Sequence, residues 1–462
     1  MHKTELIQLP DSAAAASERG GMSDISELIY VNGCWEPPGC IVRTSANNDA
    51  LQNISSIPDT PLDSINTISP FEHSEEVWDQ TIQCLREVYG PYNVTIVDSL
   101  REPDPGALGM AHHEAILAGS SDEIGLPADV LGVANISCGG PINNVISFNF
   151  ANAIGADFID LCWTVAQESA HAYGLDHAFE CLDPMTYLPN CGQKFFRNKN
   201  LPCGEFTERA CMCGGSVQNS HEDLLAVFGE GTPVAPPSLA VPFPEDGAVL
   251  NTEQAVLYVE STDPRLVDRI ELYINGWLTE TRDGNSFGNT TDPYQFDLRD
   301  QPDSVLDIEI RSYNDLEIMA SQTLTVTKNA PCSADDRCLA GQECSDGRCA
   351  YPTPTGLLGE VCTLQSECVS LLCPLDEATG EGYCSETCVA SIADSCPEGF
   401  ECLQASGQGV CWPLDTETGG CCSAGADRGP TPGQIALFLL CALALYRRRR
   451  PQRARKGRTT PT

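Results

Sequence analysis

Twenty-five cysteines constrain this 462-residue chain more tightly than any other feature, because they fall into separate groups. Ten lie between Cys34 and Cys213, twelve between Cys332 and Cys411, and three in the C-terminal tail. Even numbers in the first two groups predict independent disulfide frameworks, closed in an oxidising compartment. The spacing alone leaves the pairing open. Residues 1–22 are polar and carry no apolar signal-peptide core. The cysteines are the stronger indicator, so a secreted protein is expected although no signal peptide is visible in this chain.

Composition is that of a globular protein, 42% hydrophobic and 20% charged, which argues against wholesale disorder. The length exceeds what one hydrophobic core usually organises and predicts several domains. Charge is segregated. Eight of the 26 Lys and Arg lie between Arg447 and Arg458, leaving 18 basic against 65 acidic residues in the rest of the chain. Such a surface repels nucleic acid and anionic lipid, so no nucleic-acid partner is expected.

Residues 1–24 read as a disordered N-terminal segment. Residues 25–230 read as an α/β unit with strands at 28–31, 93–97, 114–118 and 145–150 and helices at 75–89 and 157–172. A Gly- and Pro-rich run supplies a linker over 231–237. Residues 238–330 alternate as short strands at 255–260, 269–274, 294–298, 307–313 and 322–326, with Asn275-Gly276 as a hairpin turn. That pattern predicts an immunoglobulin-like β-sandwich. Residues 331–413 hold twelve cysteines and few large apolar residues, and predict an EGF-like or knotted module held by cross-links rather than a core.

The tail has three parts: a linker over 414–434 containing Gly-Gly-Cys-Cys, a short apolar helix at 435–446, and a basic segment at 447–462. Twelve helical residues rise about 18 Å, short of the roughly 30 Å hydrocarbon core, so 435–446 is a marginal anchor. Its flanking arginines stay on the cytoplasmic side and leave everything before them outside. This glycine-cysteine, apolar, arginine arrangement resembles the C-terminal sorting tag of myxobacterial surface proteins. The resemblance implies processing near Cys421 or Cys422 and attachment to the cell envelope at the outer surface. A simple membrane tail anchor is the other reading.

The chemistry concentrates between residues 163 and 187. On a helix, Gln167 and His171 share a face one turn apart, with Glu168 beside them. Gly174 can take the positive φ that ends the helix and turns the chain back, which brings His177 toward the same point. Asp183-Pro184-Met185-Thr186-Tyr187 follows as a tight turn. This spacing resembles the metzincin signature, H-E-x-x-H-x-x-G-x-x-H followed by a methionine turn, as in matrixin- and astacin-like zinc proteases. The resemblance implies an α/β (α+β) catalytic domain with His171 and His177 as zinc (Zn2+) ligands and Glu168 as general base for the attacking water. It also implies that Met185 floors the site and that Tyr187 ligates the metal or stabilises the transition state.

One position departs from that family: Gln167 stands where the first histidine ligand belongs. A glutamine amide oxygen is a hard, neutral donor, weaker for zinc than imidazole. Two outcomes stay open. The metal is retained and more electrophilic, or affinity falls so far that the domain is a pseudoprotease; Tyr187 or Asp176 would then be the residues placed to supply a missing ligand.

Other features read more simply. His112-His113 on a strand point to opposite faces and read as surface residues rather than a second metal site. Cys211-Met212-Cys213 lacks metal spacing and belongs with the disulfide candidates. Calcium (Ca2+) at Asp335-Asp336 or Asp346-Gly347 finds no support, since neither matches an EF-hand loop. No P-loop or G-x-G-x-x-G motif is present. The expectation is an extracellular endopeptidase acting on protein or peptide substrates, with the other modules as spacers or substrate-binding arms. Its rival is an inactive metzincin-like adhesion or recognition protein.

Overall fold

A computed structural model describes residues 3–8, 26–188, 191–284, 294–376, 380–389, 395–405 and 408–414. The chain divides into two compact units, Met1–Pro352 and Thr353–Thr462. It is β-rich with few helices, and all 22 cysteines of the first two groups are paired, in eleven disulfides. Cys421, Cys422, residues 435–446 and the basic tail lie outside the described residues. No helix among the described residues is long and apolar enough to cross a membrane.

The first unit is built on a mixed sheet. Its strands are β1 (Lys3–Gln8), β2 (Leu28–Asn32), β6 (Thr95–Asp98), β7 (His113–Leu117), β8 (Val130–Ile136) and β9 (Ile146–Asn149), in the order β1-β8-β9-β7-β2-β6. All pair parallel except β8 with β9. Strands β3 (Cys40–Thr44), β4 (Ile54–Ser55) and β5 (Ile65–Ile68) form a small separate sheet. Val42 and Ile68 of that sheet pack with Ile116, Val133 and Phe148 of the large one. Helix α1 (Glu75–Tyr89) starts on Ser74, whose side chain accepts from the Val77 amide, and buries Trp78, Ile82, Leu85 and Tyr89 at 3- and 4-residue spacing. A short α2 (Ala151–Ile154) leads into α3 (Phe158–His171), which shares one apolar core with α1 and the sheet. The disulfide between Cys84 and Cys162 staples the two long helices together.

Within residues 1–24, expected to be disordered, Lys3–Gln8 forms a paired strand instead, and the rest of that segment lies outside the described residues. Lys3–Gln8 runs parallel along β8 with Thr4 opposite Gly132, so backbone pairing overrides a polar composition that carries no periodic signal. His112 and His113, read as surface residues, are both buried. They do point to opposite faces. His113 hydrogen-bonds Ser147 Oγ at 2.9 Å, while His112 Nδ1 donates to the Met110 carbonyl at 3.0 Å.

After the ribbon of β10 (Leu201–Pro202) with β11 (Val217–Gln218) and helix α4 (Ser220–Phe228), a second core forms between two sheets. One contains β12 (Ser238–Phe243), β14 (Val256–Thr262) and β17 (Tyr294–Asp297). The other contains β13 (Val249–Leu250), β15 (Arg269–Ile274), β16 (Trp277–Asp283), β18 (Val305–Tyr313) and β19 (Met319–Lys328). Strand β18 alternates half-buried and buried side chains along its length, the mark of a sheet with one face on a core. Asn275 and Gly276, both at positive φ, turn β15 into β16.

The twelve remaining paired cysteines form three four-cysteine units, each linked first to third and second to fourth. This repeat replaces the single knotted module expected over 331–413. The unit at 332–349 belongs with the sandwich: Arg348 donates to Asp307 and Asn275 Nδ2 to the Cys349 carbonyl at 2.8 Å. The other two lie in the Thr353–Thr462 unit.

The sandwich is clasped to the α/β part rather than spaced from it. Arg265, 3% exposed, holds Asp315 through two 2.8 Å bonds and reaches the Phe196 carbonyl at 2.7 Å. Arg197 Nη1 donates to the Arg265 carbonyl at 2.6 Å, and the Asn198 amide to Asp315 at 3.2 Å. Removing one member of such a pair strands a buried charge. Asp315→Ala is therefore expected to lower stability by about 3–5 kcal/mol. Arg43→Ala, which removes the exposed pair with Asp63, should cost under about 1 kcal/mol. Denaturant midpoints of the two variants check the contrast, and equal shifts would remove the clasp from this account.

Candidate metal centre

Helix α3 begins on Asp157, whose side chain accepts from the Ile159 amide, and ends at His171. Gly174 at φ +95° then reverses the chain, and its amide donates to the His171 carbonyl at 3.0 Å. This is the left-handed helix end that a glycine permits. The turn brings the rings of His171 and His177 to 4.8 Å between centroids, at 78° to each other. The predicted meeting of these two side chains is realised.

The hydrogen bonds of the two rings fix their protons. His171 Nδ1 faces the Leu175 carbonyl at 2.6 Å, and His177 Nδ1 faces Glu205 Oε1 at 2.9 Å. Both partners only accept, so each Nδ1 carries the hydrogen, and in a neutral ring Nε2 is left with its lone pair. Both Nε2 atoms are buried and have no hydrogen-bond partner. Burial first, and His177 second, push the His171 pKa down to about 3, which keeps that ring neutral at physiological pH. Two bare imidazole nitrogens side by side in a buried place suit a cation that accepts nitrogen ligands.

Gln167 lies one turn before His171 and is buried. Glu168 is fully buried, with its carboxylate against β8. A Cβ at Gly132 would stand 2.7 Å from Glu168 Oε1, so only glycine lets the strand approach this closely. Tyr187 is half-buried, its ring 4.4 Å from that of His177 and 5.8 Å from that of the exposed Phe206.

Met185 is fully buried in the core. Its turn is tied to the histidine segment, because the Ala178 amide donates to the Met185 carbonyl at 2.9 Å. Asp183 holds the turn from inside, accepting from the amides of Met185 and Arg197, each at 2.9 Å. The chain from Arg197 to Asn198 is the same one the sandwich grips through Asp315.

The sequence left Gly132, Glu205 and Arg209 unmarked, and marked Asp183 only as part of a tight turn. Arg209 donates to Asp176 at 2.6 and 2.8 Å and to Glu205 at 2.6 Å. Its guanidinium thus fills the space among Asp176, His177 and Glu205, whose ligand atoms lie within 4.8 Å of one another. Asp176 is engaged there rather than available to the metal. The Glu205 carboxyl is held well below the usual range by its bond to His177, with Arg209 adding to the effect. The three cysteine clusters that also have metal-like proximity are all consumed by disulfides.

No family model matches the chain, and no curated protein matches it. Among solved structures, the fibronectin(III)-like modules of Clostridium thermocellum CbhA align at 10% identity and TM-score 0.17, over 21% of this chain and 49% of theirs. The chain therefore spans about half the length of that structure. A catalytically inactive OgpA from Akkermansia muciniphila, in complex with an O-glycopeptide substrate, aligns at 10% identity and TM-score 0.18, over 65% of this chain and 92% of its own. An engineered protein aligns at 13% identity and TM-score 0.16, over 56% and 62% respectively. At these values none of the three fixes a fold or a function.

Asp183 gives the centre a pH signature separate from the histidines. Burial, opposed by its hydrogen bonds, raises its pKa to about 6. Stability from a raised carboxyl is present at low pH and lost as pH rises through the folded value. Between pH 4 and pH 7 the metal-free protein should therefore lose on the order of 1–3 kcal/mol relative to Asp183→Asn, which does not titrate. Chemical denaturation of both proteins across that range reads the difference, and parallel profiles would contradict it.

Proposed function

We propose that the chain is an extracellular zinc-dependent endopeptidase with a metzincin-like catalytic domain, in which His171, His177 and Gln167 hold the metal. The observation that carries this reading is the pair of buried Nε2 atoms, each bare because the opposite ring nitrogen is committed to an acceptor. An unpaired buried acceptor costs roughly 1–3 kcal/mol, so two adjacent ones favour a ligand between them. The order of helix, glycine turn, second histidine and buried methionine turn supports the same reading.

A divalent cation at this place supplies Lewis acidity toward a peptide carbonyl and lowers the pKa of water. The chain's own groups do the rest. Glu168 accepts the proton released as water attacks the carbonyl carbon, then delivers it to the departing amine nitrogen as the C–N bond breaks. The Tyr187 hydroxyl is the donor assigned to the oxygen that gains charge. Met185 and the core around it keep the floor of the site apolar. The eleven disulfides are compatible with an extracellular location, and attachment at the outer cell surface through Cys421 or Cys422 completes the proposal.

Gln167 favours a second reading, an inactive recognition protein that keeps the scaffold. The two readings separate on purified full-length protein. The enzyme predicts about one zinc per chain, cleavage of casein or gelatin that chelator abolishes, and loss of at least about a hundredfold in rate on Glu168→Ala with zinc retained. Gln167→His should tighten zinc. A parent that is stable, metal-free and inactive even with added zinc sinks the enzyme reading, and so does a Glu168→Ala variant that cleaves at the parent's rate.

A further inference from the structure

The acidic residues around His177 form an arrangement that the sequence motif does not contain. Glu205 sits in a short loop closed by the disulfide between Cys203 and Cys211, and Cys213 is tied to Cys138 after β8. The Gly204 amide donates to the His177 carbonyl at 2.9 Å, which docks the loop on the histidine. Gly204 has φ +143° and a Cβ there would lie 2.0 Å from the Thr207 carbonyl oxygen, so the loop closes this tightly only with glycine. Glu205 Oε1 then accepts from His177 Nδ1, while Arg209 donates to both oxygens of the same carboxylate. Asp176, gripped by the same guanidinium, accepts from the His177 amide at 2.7 Å. Backbone and ring of one histidine are thus fixed by two carboxylates sharing one arginine.

His171 is treated differently. Its Nδ1 donates to a neutral backbone carbonyl. An ionised acceptor behind an imidazole makes the far nitrogen a stronger donor than a neutral one does, and partners of this kind typically change metal affinity 10–100-fold. The strengthened ring stands in a ligand set weakened by the neutral amide of Gln167.

We propose that Glu205 is a positioning residue for the metal: through His177 it fixes the ring tautomer and strengthens Nε2, offsetting the weak donor at Gln167. This rests on the reading of Gln167, His171 and His177 as a metal site. It assigns Glu205 and Arg209 to orientation, not to ligation.

The test is zinc affinity of the full-length, metal-stripped protein, measured by competition with a chromogenic chelator, together with the visible spectrum after cobalt loading. Glu205→Gln keeps the shape and an acceptor but removes the charge. It should weaken zinc binding by about 10–100-fold and shift the cobalt spectrum, with the metal-free melting temperature unchanged. Glu205→Asp should recover part of the loss. In a Gln167→His background the same Glu205→Gln change should weaken binding less, because the stronger first ligand relieves the dependence. Zinc affinity of Glu205→Gln within twofold of a zinc-binding parent overturns the role of Glu205 and leaves the metal site standing. A loss matched by melting of the metal-free protein and not rescued by Glu205→Asp also overturns it. A parent that takes up no zinc overturns the metal site and this inference together.

Discussion

Two hydrogen bonds, from His171 Nδ1 to the Leu175 carbonyl and from His177 Nδ1 to Glu205, set the character of the whole α/β part. Each turns an imidazole so that its remaining nitrogen faces inward with nothing to pair it. Folding does not ordinarily leave buried acceptors bare, because each costs about 1–3 kcal/mol that water would have supplied in the unfolded chain. Here the surroundings enforce it. The glycine turn after α3 delivers His177, the loop at 203–211 grips it, and the methionine turn closes the floor through the Ala178 amide. The scaffold thus constrains two unsatisfied nitrogens from three directions.

The rest of the first unit serves that constraint more directly than its modular sequence suggests. Asp183 bonds the methionine turn to the Arg197 amide, and Asp315 of the sandwich bonds the next amide along. Arg265 adds the Phe196 carbonyl to the same junction. A displacement of the sandwich would therefore pull on the segment that holds Met185, two hydrogen bonds from His177. Rigid contacts of this kind hold a cluster of side chains within a narrow geometry. Exposed ion pairs such as Arg43 with Asp63 do not share this role, since solvent and side-chain freedom leave them little energy.

Much of this was legible in the sequence wherever a local rule acts alone. The helix at 75–89 follows from apolar spacing and its Ser74 cap, and the Asn275-Gly276 turn follows from φ preferences. The approach of His171 to His177 follows from helix periodicity and one glycine. What stayed hidden depends on partners distant in sequence. Strand β8 has β-branched residues, but Gly132 and Asn135 interrupt its pattern, and Gly132 is small because Glu168 lies against it. The pairing of Lys3–Gln8 with β8 has no side-chain signature at all. Glu205 and Arg209 look like an ordinary charged i, i+4 pair until the disulfide loop carries Glu205, 28 residues from His177 in sequence, to within bonding distance of it in space. The first-to-third, second-to-fourth linkage of the cysteine units likewise needs spatial proximity, which variable spacing conceals.

The departure at Gln167 is best weighed against what the site keeps. Replacing both members of a buried hydrogen-bonding set with apolar groups of the same shape is nearly neutral in energy, so nothing in packing alone requires two bare imidazole nitrogens here. Both are nevertheless buried, each with a dedicated acceptor on the far side, and the acceptor behind His177 is a carboxylate itself secured by arginine. Gly132 likewise admits the Glu168 carboxylate to the strand. In the proposed centre a neutral amide ligand would change the balance of charge around the cation, and a stronger imidazole at His177 would move that balance back. Gln167 would therefore tune the metal of that proposed centre, with more of its binding carried by His177 and the loop behind it.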